Sequence, residues 1–451
     1  MNNKNLSRTI IIISTITLLA WVLIIPGIVG MRAEAELNLS EKNTISTFAL
    51  PMTSRPAIFV RGWFFSVAKS DYIIKLGTQP VHLAVEHHIN QFAIPFYRWA
   101  NVTHSVSVIN DQGMAAPLPL HLIASTDKLF FGGYATHITA PEIDLNHVLG
   151  WHLKANNVSL NIKGVSNQSQ QVELTVPSMT VSNDANMFYS NLTNLYFSAS
   201  SSGDQSATSV WEQQGNFKLE KIETGNNGAP LMSMNNFMMT AELKDRGANV
   251  DVIYHTKVGH SVVGDSNQMT ADDIHLDFSY ANLNKDGLLK LRTAAREFTD
   301  EDQTLSPMEQ TNQQLARIDT ILKQSSGLLA SSPGFKIDQF SLTTPHGVVA
   351  GTMQVSFNGS GITPDQLSST TFPALLQQRI SGKATLNVAR DVFMQATDNK
   401  TQSQDVNQQQ LKAAQLKAFV DQGYVKDDGK QLTMESSFGP QGLLINGKRI
   451  M

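Results

Sequence analysis

The residues best suited to metal or acid–base chemistry lie in one short segment, VHLAVEHHI. His82, Glu86 and His88 carry suitable donor atoms, and the valine, leucine and isoleucine residues that alternate with them predict a β-strand. At ~3.3 Å per residue, His82 and Glu86 are then about 13 Å apart, which is too far for one ion. Glu86 and His88 alone supply two ligands, so we expect a solvated strand face here, with no metal and no cofactor.

Other catalytic and binding patterns are missing or incomplete. The chain has no G-x-S-x-G, Walker A, G-x-G-x-x-G or H-E-x-x-H sequence, and it has no cysteine. Asn282–Gly287 resembles the start of an EF-hand loop, but the twelfth position is Thr293 instead of a glutamate. Acidic pairs such as Asp272-Asp273 fall in turn-like stretches. We therefore predict no catalytic residue and favour a non-enzymatic protein.

Composition limits the class of partner. The 451 residues include 34 basic and 38 acidic side chains, for a net charge of −4. This charge balance argues against binding of nucleic acid, because such binding requires a basic protein surface that neutralises the phosphates. Apolar residues make up 41% of the chain, with 21 Phe and 16 Met, which is enough for a substantial core.

A transmembrane helix is expected near the start of the chain. Ile10–Val29 contains no charged residue and is long enough, at ~1.5 Å per residue, to cross ~30 Å of hydrocarbon. Lys4 and Arg8 precede it, so the positive-inside rule predicts a cytoplasmic N-terminus and a body on the other side of the membrane. The alternative is a signal peptide with a poor cleavage site at Ala33–Ala35.

Beyond residue 31, alternation of apolar and polar residues predicts β-strands, most strictly in Ile274–Tyr280. Turn clusters between such runs favour antiparallel meanders. Helices are expected in Lys285–Leu329, with a start at Ser306-Pro307, and in Val406–Gln422. The predicted fold class is α+β, predominantly β: an N-terminal transmembrane helix followed by extended antiparallel sheets with a few helices packed on them.

Four regions follow from these assignments. We expect a cytoplasmic tip and anchor at 1–31 and a β-rich periplasmic region at 32–284. A helical region at 285–330 and a C-terminal β region with one helix at 331–451 complete the chain.

An aromatic segment, FVRGWFFS, begins about thirty residues after the predicted transmembrane helix. In a strand, Arg61 and Trp63 lie on one face and Gly62 and Phe64 on the other, and Gly62 permits a bulge. A structural role, a lipid or membrane-surface contact and, least favoured, a catalytic arginine all stay open. The candidate structural or interface residues are Arg61, Gly62, Trp63, Phe64 and Ser66.

The same segment resembles the early signature of the YdgA-like family, bacterial inner-membrane-anchored proteins of unknown function. Its aromatic, Arg-Gly and serine positions are filled here by Phe59, Arg61-Gly62 and Ser66, but Gln91-Phe92-Ala93 replaces the family's later His-Gly-Pro turn. Downstream, residues 335–357 resemble the family's Thr-Pro-x-Gly strand pair. The resemblance implies a single-pass protein of the bacterial inner membrane whose bulk is periplasmic, and it implies no catalytic residues.

Three functions remain open. The first is a non-enzymatic envelope protein, held in the inner membrane by Ile10 to Val29, whose β-rich body scaffolds or binds partners. The second is a groove that binds or transfers lipid or glycolipid, and the third is a cell-envelope hydrolase. A groove predicts more apolar strand residues than the helices cover, a scaffold predicts a filled core, and a hydrolase predicts convergent polar residues with shifted pKa values in one cleft.

Overall fold

The structure, a computed structural model, describes 13 segments of the chain, and within them most residues lie in antiparallel strands. The described segments are residues 52–76, 79–91, 98–109, 115–117, 122–129, 132–148, 151–165, 169–183, 187–202, 213–264, 269–297, 307–395 and 406–450. The chain divides into two compact units, residues 1–185 and 186–451.

The described part of the first unit is an antiparallel meander. Strand pairing follows chain order from β1 to β4; β4 then pairs with both β5 and β6, and the order resumes through β7, β8 and β9. The strands are β1 (Met52–Val60), β2 (Phe65–Leu76), β3 (Gln79–Asn90), β4 (Arg98–Ile109), β5 (Ala115–Pro117), β6 (Ile123–Leu129), β7 (Gly133–Val148), β8 (Trp151–Val165) and β9 (Ser169–Asn183).

The second unit continues with longer strands and contains the described helices. Its strands are β10 (Phe188–Ser202), β11 (Gln213–Asn226), β12 (Ala229–Arg246), β13 (Asn249–Val263), β14 (Met269–Asn284), β15 (Gly334–Thr344), β16 (Gly347–Phe357), β17 (Ile380–Ala389), β18 (Lys426–Asp427), β19 (Gln431–Gly439), β20 (Gly442–Ile445) and β21 (Lys448–Arg449). Its helices are α1 (Lys285–Glu297), α2 (Pro307–Gln324), α3 (Ser326–Ala330), α4 (Phe372–Arg379), α5 (Arg390–Gln395) and α6 (Val406–Asp421), with a 3₁₀ turn at Pro364–Gln366.

Tight turns fix the register of neighbouring strands. Asn227-Gly228 joins β11 to β12 with φ values of 53° and 76°, and Asn446-Gly447 joins β20 to β21 with 47° and 81°. Two successive positive φ values define the type I′ turn, whose twist matches that of the flanking strands. Because a two-residue turn leaves no slack, the side chains that face each other across these strands are set by the turn.

A line of left-handed residues crosses the long strands of the second unit. Asn194, Asn236 and Asp273 have φ values of 51°, 55° and 46° within β10, β12 and β14. The register places Asn194 and Asn236 on either side of Glu220, and Asn236 opposite Gly259, where an added Cβ would lie 3.2 Å from the Asn236 Cβ. The β-pleat is therefore interrupted at the same height in neighbouring strands, and this interruption bends the strands locally.

The predicted α+β fold with a transmembrane helix is wrong for the part of the chain that the structure describes. This part is nearly all antiparallel sheet, because the alternating segments are longer and more numerous than the helical ones. Within it no helix combines the length and the apolar character needed to cross a membrane. Ile10–Val29, for which the span was predicted, lies outside the described residues, and the classification as a membrane protein with a signal anchor is withdrawn.

The helices pack at strand ends and not across the middle of a sheet. Phe357, the last residue of β16, is buried with Ile362 and Leu367, and side chains of α2, α3 and α4 pack against these three residues. The predicted helix start at Pro307 and the predicted helix from Val406 are both confirmed by α2 and α6.

Candidate functional site

The most extensive candidate site is one face of the sheet in the second unit. Side chains that lie opposite one another in the register form three rows across β11 to β17 and β19, and we call these rows the apolar face. The rows are Phe217, Met239, Thr256, Leu276, Phe340, Gly351, Leu386 and Met434; Ala241, Tyr254, Phe278, Ile337, Met353, Ala384 and Ser436; and Leu243, Val252, Tyr280, Phe335, Val355, Gly382 and Phe438.

Aromatic contacts confirm that these side chains share one face. The rings of Tyr254 and Phe278 stack with centroids 4.7 Å apart, and Tyr280 and Phe335 lie 5.1 Å apart. Phe278 also contacts Phe335, at 6.2 Å. These distances are typical of packed aromatic pairs, so the centre of the apolar face is an ordered aromatic surface.

The apolar face is nevertheless incompletely covered. Tyr280 is 41% exposed, and every other member of the three rows is partly exposed rather than buried. Leu219, two residues beyond Phe217 on the same side of β11, is only 5% exposed, so the face is buried beyond its first row. The three rows thus contain apolar side chains in the numbers of a core, but these side chains are only partly buried, and partly exposed apolar patches of this size often mark binding sites.

The opposite face of the same strands is polar. His255 Nδ1 lies 3.0 Å from Asp277 Oδ1 across β13 and β14. Thr352 and Thr385 hydroxyls are 2.7 Å apart across β16 and β17, and Thr433 donates a hydrogen bond to Asn387 at 3.0 Å. The sheet is therefore amphipathic, which leaves apolar binding to one face only.

The aromatic segment noted in the sequence forms the turn between β1 and β2. Ser66 is buried, accepts a hydrogen bond from the Gly62 N–H at 3.3 Å and another from the Gln91 side-chain amide. The Gln91 N–H donates to the Phe64 carbonyl at 2.9 Å. An added Cβ at Gly62 would collide with the Phe65 carbonyl oxygen. Gly62 and Ser66 thus shape the turn.

The other residues of this turn present an apolar surface. Trp63 is 57% exposed and Phe65 67% exposed, Phe64 is exposed to a lesser degree, and Arg61 is also exposed. Ile58 and Val60 on β1 are exposed beside them. We call Ile58, Val60, Trp63 and Phe65 the apolar tip. The structure brings the predicted interface residues together in one turn, and their role stays a prediction.

A buried polar chain crosses the first unit. Ser70 Oγ lies 3.3 Å from His87 Nε2, and His87 Nδ1 lies 2.7 Å from His104 Nδ1. His104 Nε2 lies 3.0 Å from Thr126 Oγ1, which lies 2.9 Å from Thr136 Oγ1. These five residues, which we call the histidine chain, come from β2, β3, β4, β6 and β7.

The environment of the histidine chain favours neutral imidazoles. Burial lowers the pKa of His87. Burial, and secondarily the nearby charges of His87 and Lys128, lower the pKa of His104 to about 4. The two rings meet edge to face, with centroids 4.9 Å apart. Both imidazoles are therefore uncharged at neutral pH, and each is able to accept one hydrogen bond and donate another.

The order Ser70, His87, His104 is similar to that of a nucleophile, a base and an orienting group. Ser70, however, is 0% exposed, and the chain continues into two threonine hydroxyls. A substrate cannot reach a hydroxyl that is enclosed in this way. The shifted pKa values therefore belong to a closed network, and a hydrolase is the least supported of the three functions.

The predicted solvated strand face is found at Glu86 and His88. Glu86 contacts Lys69 at 3.2 Å and His88 at 3.3 Å, and all three side chains are substantially exposed. In the described part of the chain, no group of three or more His, Asp or Glu side chains is arranged to hold a metal ion. At the segment similar to an EF-hand, the Asn284 side chain accepts a hydrogen bond from the Gly287 N–H at 2.9 Å, which caps α1.

Sequence reasoning missed the histidine chain and the full extent of the apolar face. His87 occupies the same strand face as the apolar residues Val85 and Ile89, and His104 the same face as Val102 and Val106. A single polar residue among apolar alternating positions was the available signal. It did not show that the two histidines are neighbours, because this depends on the register of β3 against β4.

Comparison with known proteins gives one finding. A family model described as "Bacterial protein of unknown function (DUF945)" matches residues 7–451. No curated protein and no solved structure matches the chain. The resemblance inferred from the sequence is thus confirmed at the level of a bacterial family of unknown function, whereas the YdgA-like name stays a prediction.

Proposed function

For this chain, which belongs to the bacterial DUF945 family, we propose that the apolar face of the second unit binds the acyl chains of lipids. The observation that carries this proposal is the exposure of the apolar face. The first row crosses eight strands and the other two cross seven, and none of the side chains in these rows is buried.

The dimensions of the apolar face suit a long, narrow ligand. Seven strand spacings at ~4.8 Å give a length of roughly 34 Å, and three rows two residues apart give a width of roughly 14 Å. The members of the rows that carry hydrogen-bonding side chains are Thr256, Tyr254, Tyr280 and Ser436. A protein partner usually forms about one hydrogen bond per 100–200 Å² of interface, whereas an acyl chain needs none.

The expected affinity is sufficient for a lipid carrier. Each CH₂ group that leaves water contributes ~0.8 kcal/mol, so about ten buried CH₂ groups contribute ~8 kcal/mol before the cost of association. Phe, Met and Leu side chains dominate the face, and flexible methionines adapt to apolar ligands of different shape. The face is therefore expected to bind acyl chains as a class, with little selectivity for chain length.

A pair of adjacent substitutions on β16 tests this function. Met353 lies on the apolar face, between Ile337 and Ala384, whereas Gln354 lies on the polar face, between Lys336 and Lys383. We would purify the full chain from bacteria as wild type, Met353→Glu and Gln354→Glu. Organic extracts would be analysed by mass spectrometry, and each delipidated protein would be titrated with a fluorescent fatty acid.

The proposal predicts phospholipid or glycolipid in extracts of the wild type and of Gln354→Glu, and at least tenfold weaker fatty-acid binding by Met353→Glu. The control carboxylate faces two lysines, so it is expected to be neutral or slightly stabilising. Circular dichroism establishes whether Met353→Glu folds; if it does not, Leu276→Ala takes its place. A lipid-free wild type that does not bind the fatty acid would exclude the proposal.

Partner binding by a scaffold is the second candidate function, and the apolar tip favours it. Trp63 and Phe65 project from a turn held by Gly62 and Ser66, so the tip is an exposed apolar surface on a defined support. A photoreactive phenylalanine analogue at position 63, compared with one at the exposed Lys69, tests this role in living bacteria. Cross-links to one protein from position 63 alone support a scaffold, and their absence argues against it.

The site of action is proposed to be the bacterial cell envelope, on the periplasmic side. The binding of lipid acyl chains supports this placement, since envelope membranes are the main store of such chains. Fractionation of bacteria that produce the full chain, followed by protease treatment of spheroplasts, tests it. Digestion of the β-rich body in intact spheroplasts is expected, and full protection would contradict the placement.

A further inference from the structure

We propose that the histidine chain stabilises five strands of the first unit when both imidazoles are neutral, so that acid destabilises these strands. The proposal concerns the first unit and does not depend on lipid binding. It stands on the sequence of contacts Ser70, His87, His104, Thr126 and Thr136, each within hydrogen-bond distance of the next.

Neutral imidazoles satisfy every polar atom of the histidine chain. If the Ser70 hydroxyl donates to His87 Nε2, then the His87 Nδ1–H donates to His104 Nδ1, and the His104 Nε2–H donates to Thr126. The Thr126 hydroxyl then donates to Thr136. The reverse direction serves equally well. Either way, each of β2, β3, β4, β6 and β7 contributes a side chain to one continuous network, which ties the strands together.

Protons disrupt this network in two stages. An imidazole that gains one proton donates a hydrogen bond from both of its ring nitrogens. The hydrogen bonds on one side of that ring then reverse direction, and the positive charge is buried. A second proton places N–H groups on both Nδ1 atoms, which lie 2.7 Å apart. Two donors cannot occupy that contact, so the His87 and His104 imidazoles must move apart, which weakens the packing between β3 and β4 at this position.

No described carboxylate on this face compensates the charge. The titratable groups that share it are Lys128 on β6, Tyr134 on β7 and Tyr72 on β2, and the Lys128 Nζ lies 5.7 Å from the ring centroid of Tyr134. Asp127 points to the opposite face and contacts Arg98 at 2.7 Å. Glu86 likewise lies on the opposite face of β3, with Lys69. A charged imidazole therefore meets a lysine and no described anion.

The direction of the pH response follows from these surroundings. Burial lowers the pKa of His87 and, together with the charges of His87 and Lys128, lowers the pKa of His104 to about 4 from an ordinary value of 6.5. The unfolded chain consequently binds more protons than the folded chain below pH 6.5. The stability that the two histidines contribute to the first unit is fully present above that pH and is lost as the pH falls towards 4. For each histidine, the equilibrium constant for opening of the unit rises by up to about tenfold per pH unit.

Hydrogen exchange measured by mass spectrometry on the full chain tests the proposal. Exchange of β3 and β4 peptides, corrected for the intrinsic effect of pH, would be compared with that of β12 and β13 at pH 7.0, 5.5 and 4.5. Three proteins are needed: the wild type, His104→Gln and the control His88→Gln. Gln has hydrogen-bonding groups but does not titrate, and His88 lies on the exposed face of β3.

The wild type and His88→Gln are expected to lose up to about a hundredfold in protection of β3 and β4 per pH unit below 6.5, relative to β12 and β13, because two histidines titrate. His104→Gln is expected to lose at most about half of that on the logarithmic scale, because only His87 still titrates. Equal loss in His104→Gln and the wild type would overturn the proposal. If His104→Gln does not fold, the wild type alone tests the proposal. The same protection of β3 and β4 relative to β12 and β13 at pH 7.0 and 4.5 would then overturn it.

Discussion

Two leucine-to-alanine substitutions compare the partly exposed rows of the apolar face with the buried position Leu219. Leu276 belongs to the apolar face and is partly exposed, whereas Leu219, in the same unit, is only 5% exposed. The same atoms are removed at both positions. A difference between the two losses of stability therefore reports the surroundings of each leucine and not the chemistry of the substitution.

The structure sets the expected magnitudes. Leu219 packs on β11 between Leu195 and Phe237, so its truncation leaves a cavity and is expected to cost about 2–5 kcal/mol. Leu276 is partly exposed, so water fills part of the space that truncation leaves, the cavity term is smaller, and only part of the transfer term is lost. Full burial of a leucine side chain contributes ~1.5–3 kcal/mol, and partial burial therefore predicts a loss of ~1 kcal/mol.

Urea unfolding of the delipidated full chain, followed by circular dichroism, measures both losses. The slope of the free energy against urea should be unchanged, so that midpoints report stability directly. Leu219→Ala is expected to be destabilised by at least ~1 kcal/mol more than Leu276→Ala. Equal losses of more than ~2 kcal/mol at both positions would show that the apolar face is a closed core, and the argument from exposure would fail.

Two further substitutions test the packing of each unit. Leu367→Ala, in the buried cluster at the end of β16, is expected to lower the free energy of unfolding by about 2–5 kcal/mol, and a loss below ~1 kcal/mol would contradict the packing described there. Gly62→Ala is expected to cost roughly 1–3 kcal/mol in urea unfolding, because its Cβ would collide with the Phe65 carbonyl oxygen. Gly215→Ala is the control, since its Cβ would meet only the Ala241 Cβ, at 3.8 Å. An equal loss of stability in both variants would refute the explanation by a steric collision at Gly62.

Strand periodicity was predictable from sequence because it depends on neighbouring residues alone. Ile274–Tyr280 alternates strictly, and β14 contains the whole segment. The same local reasoning located α2 through Pro307, since proline is favoured in the first turn of a helix. Partial exposure of the apolar face was not predictable, because alternation shows which residues share a face and not what covers it.

Long-range register explains the rest of what sequence reasoning missed. His87 and His104 are separated by 17 residues, and only the pairing of β3 with β4 brings their Nδ1 atoms to 2.7 Å. The sequence drew attention instead to Glu86 and His88, which are adjacent on one strand face and simply solvated. The predicted helices do form, but the strands are longer and more numerous than the sequence patterns indicated, so the α+β fold class was wrong.

Photolabelling with a fatty acid is the most direct test of the central claim. The delipidated full chain would be irradiated with a fatty acid that carries a diazirine in its acyl chain, and the labelled residues would be identified by mass spectrometry. Acyl-chain binding predicts labels on the apolar face, at residues such as Phe278, Phe335 and Met353, and their loss when excess unlabelled fatty acid is added. Labels spread equally over the polar face, at residues such as Thr352 and Gln354, or labels that unlabelled fatty acid does not displace, would contradict the account.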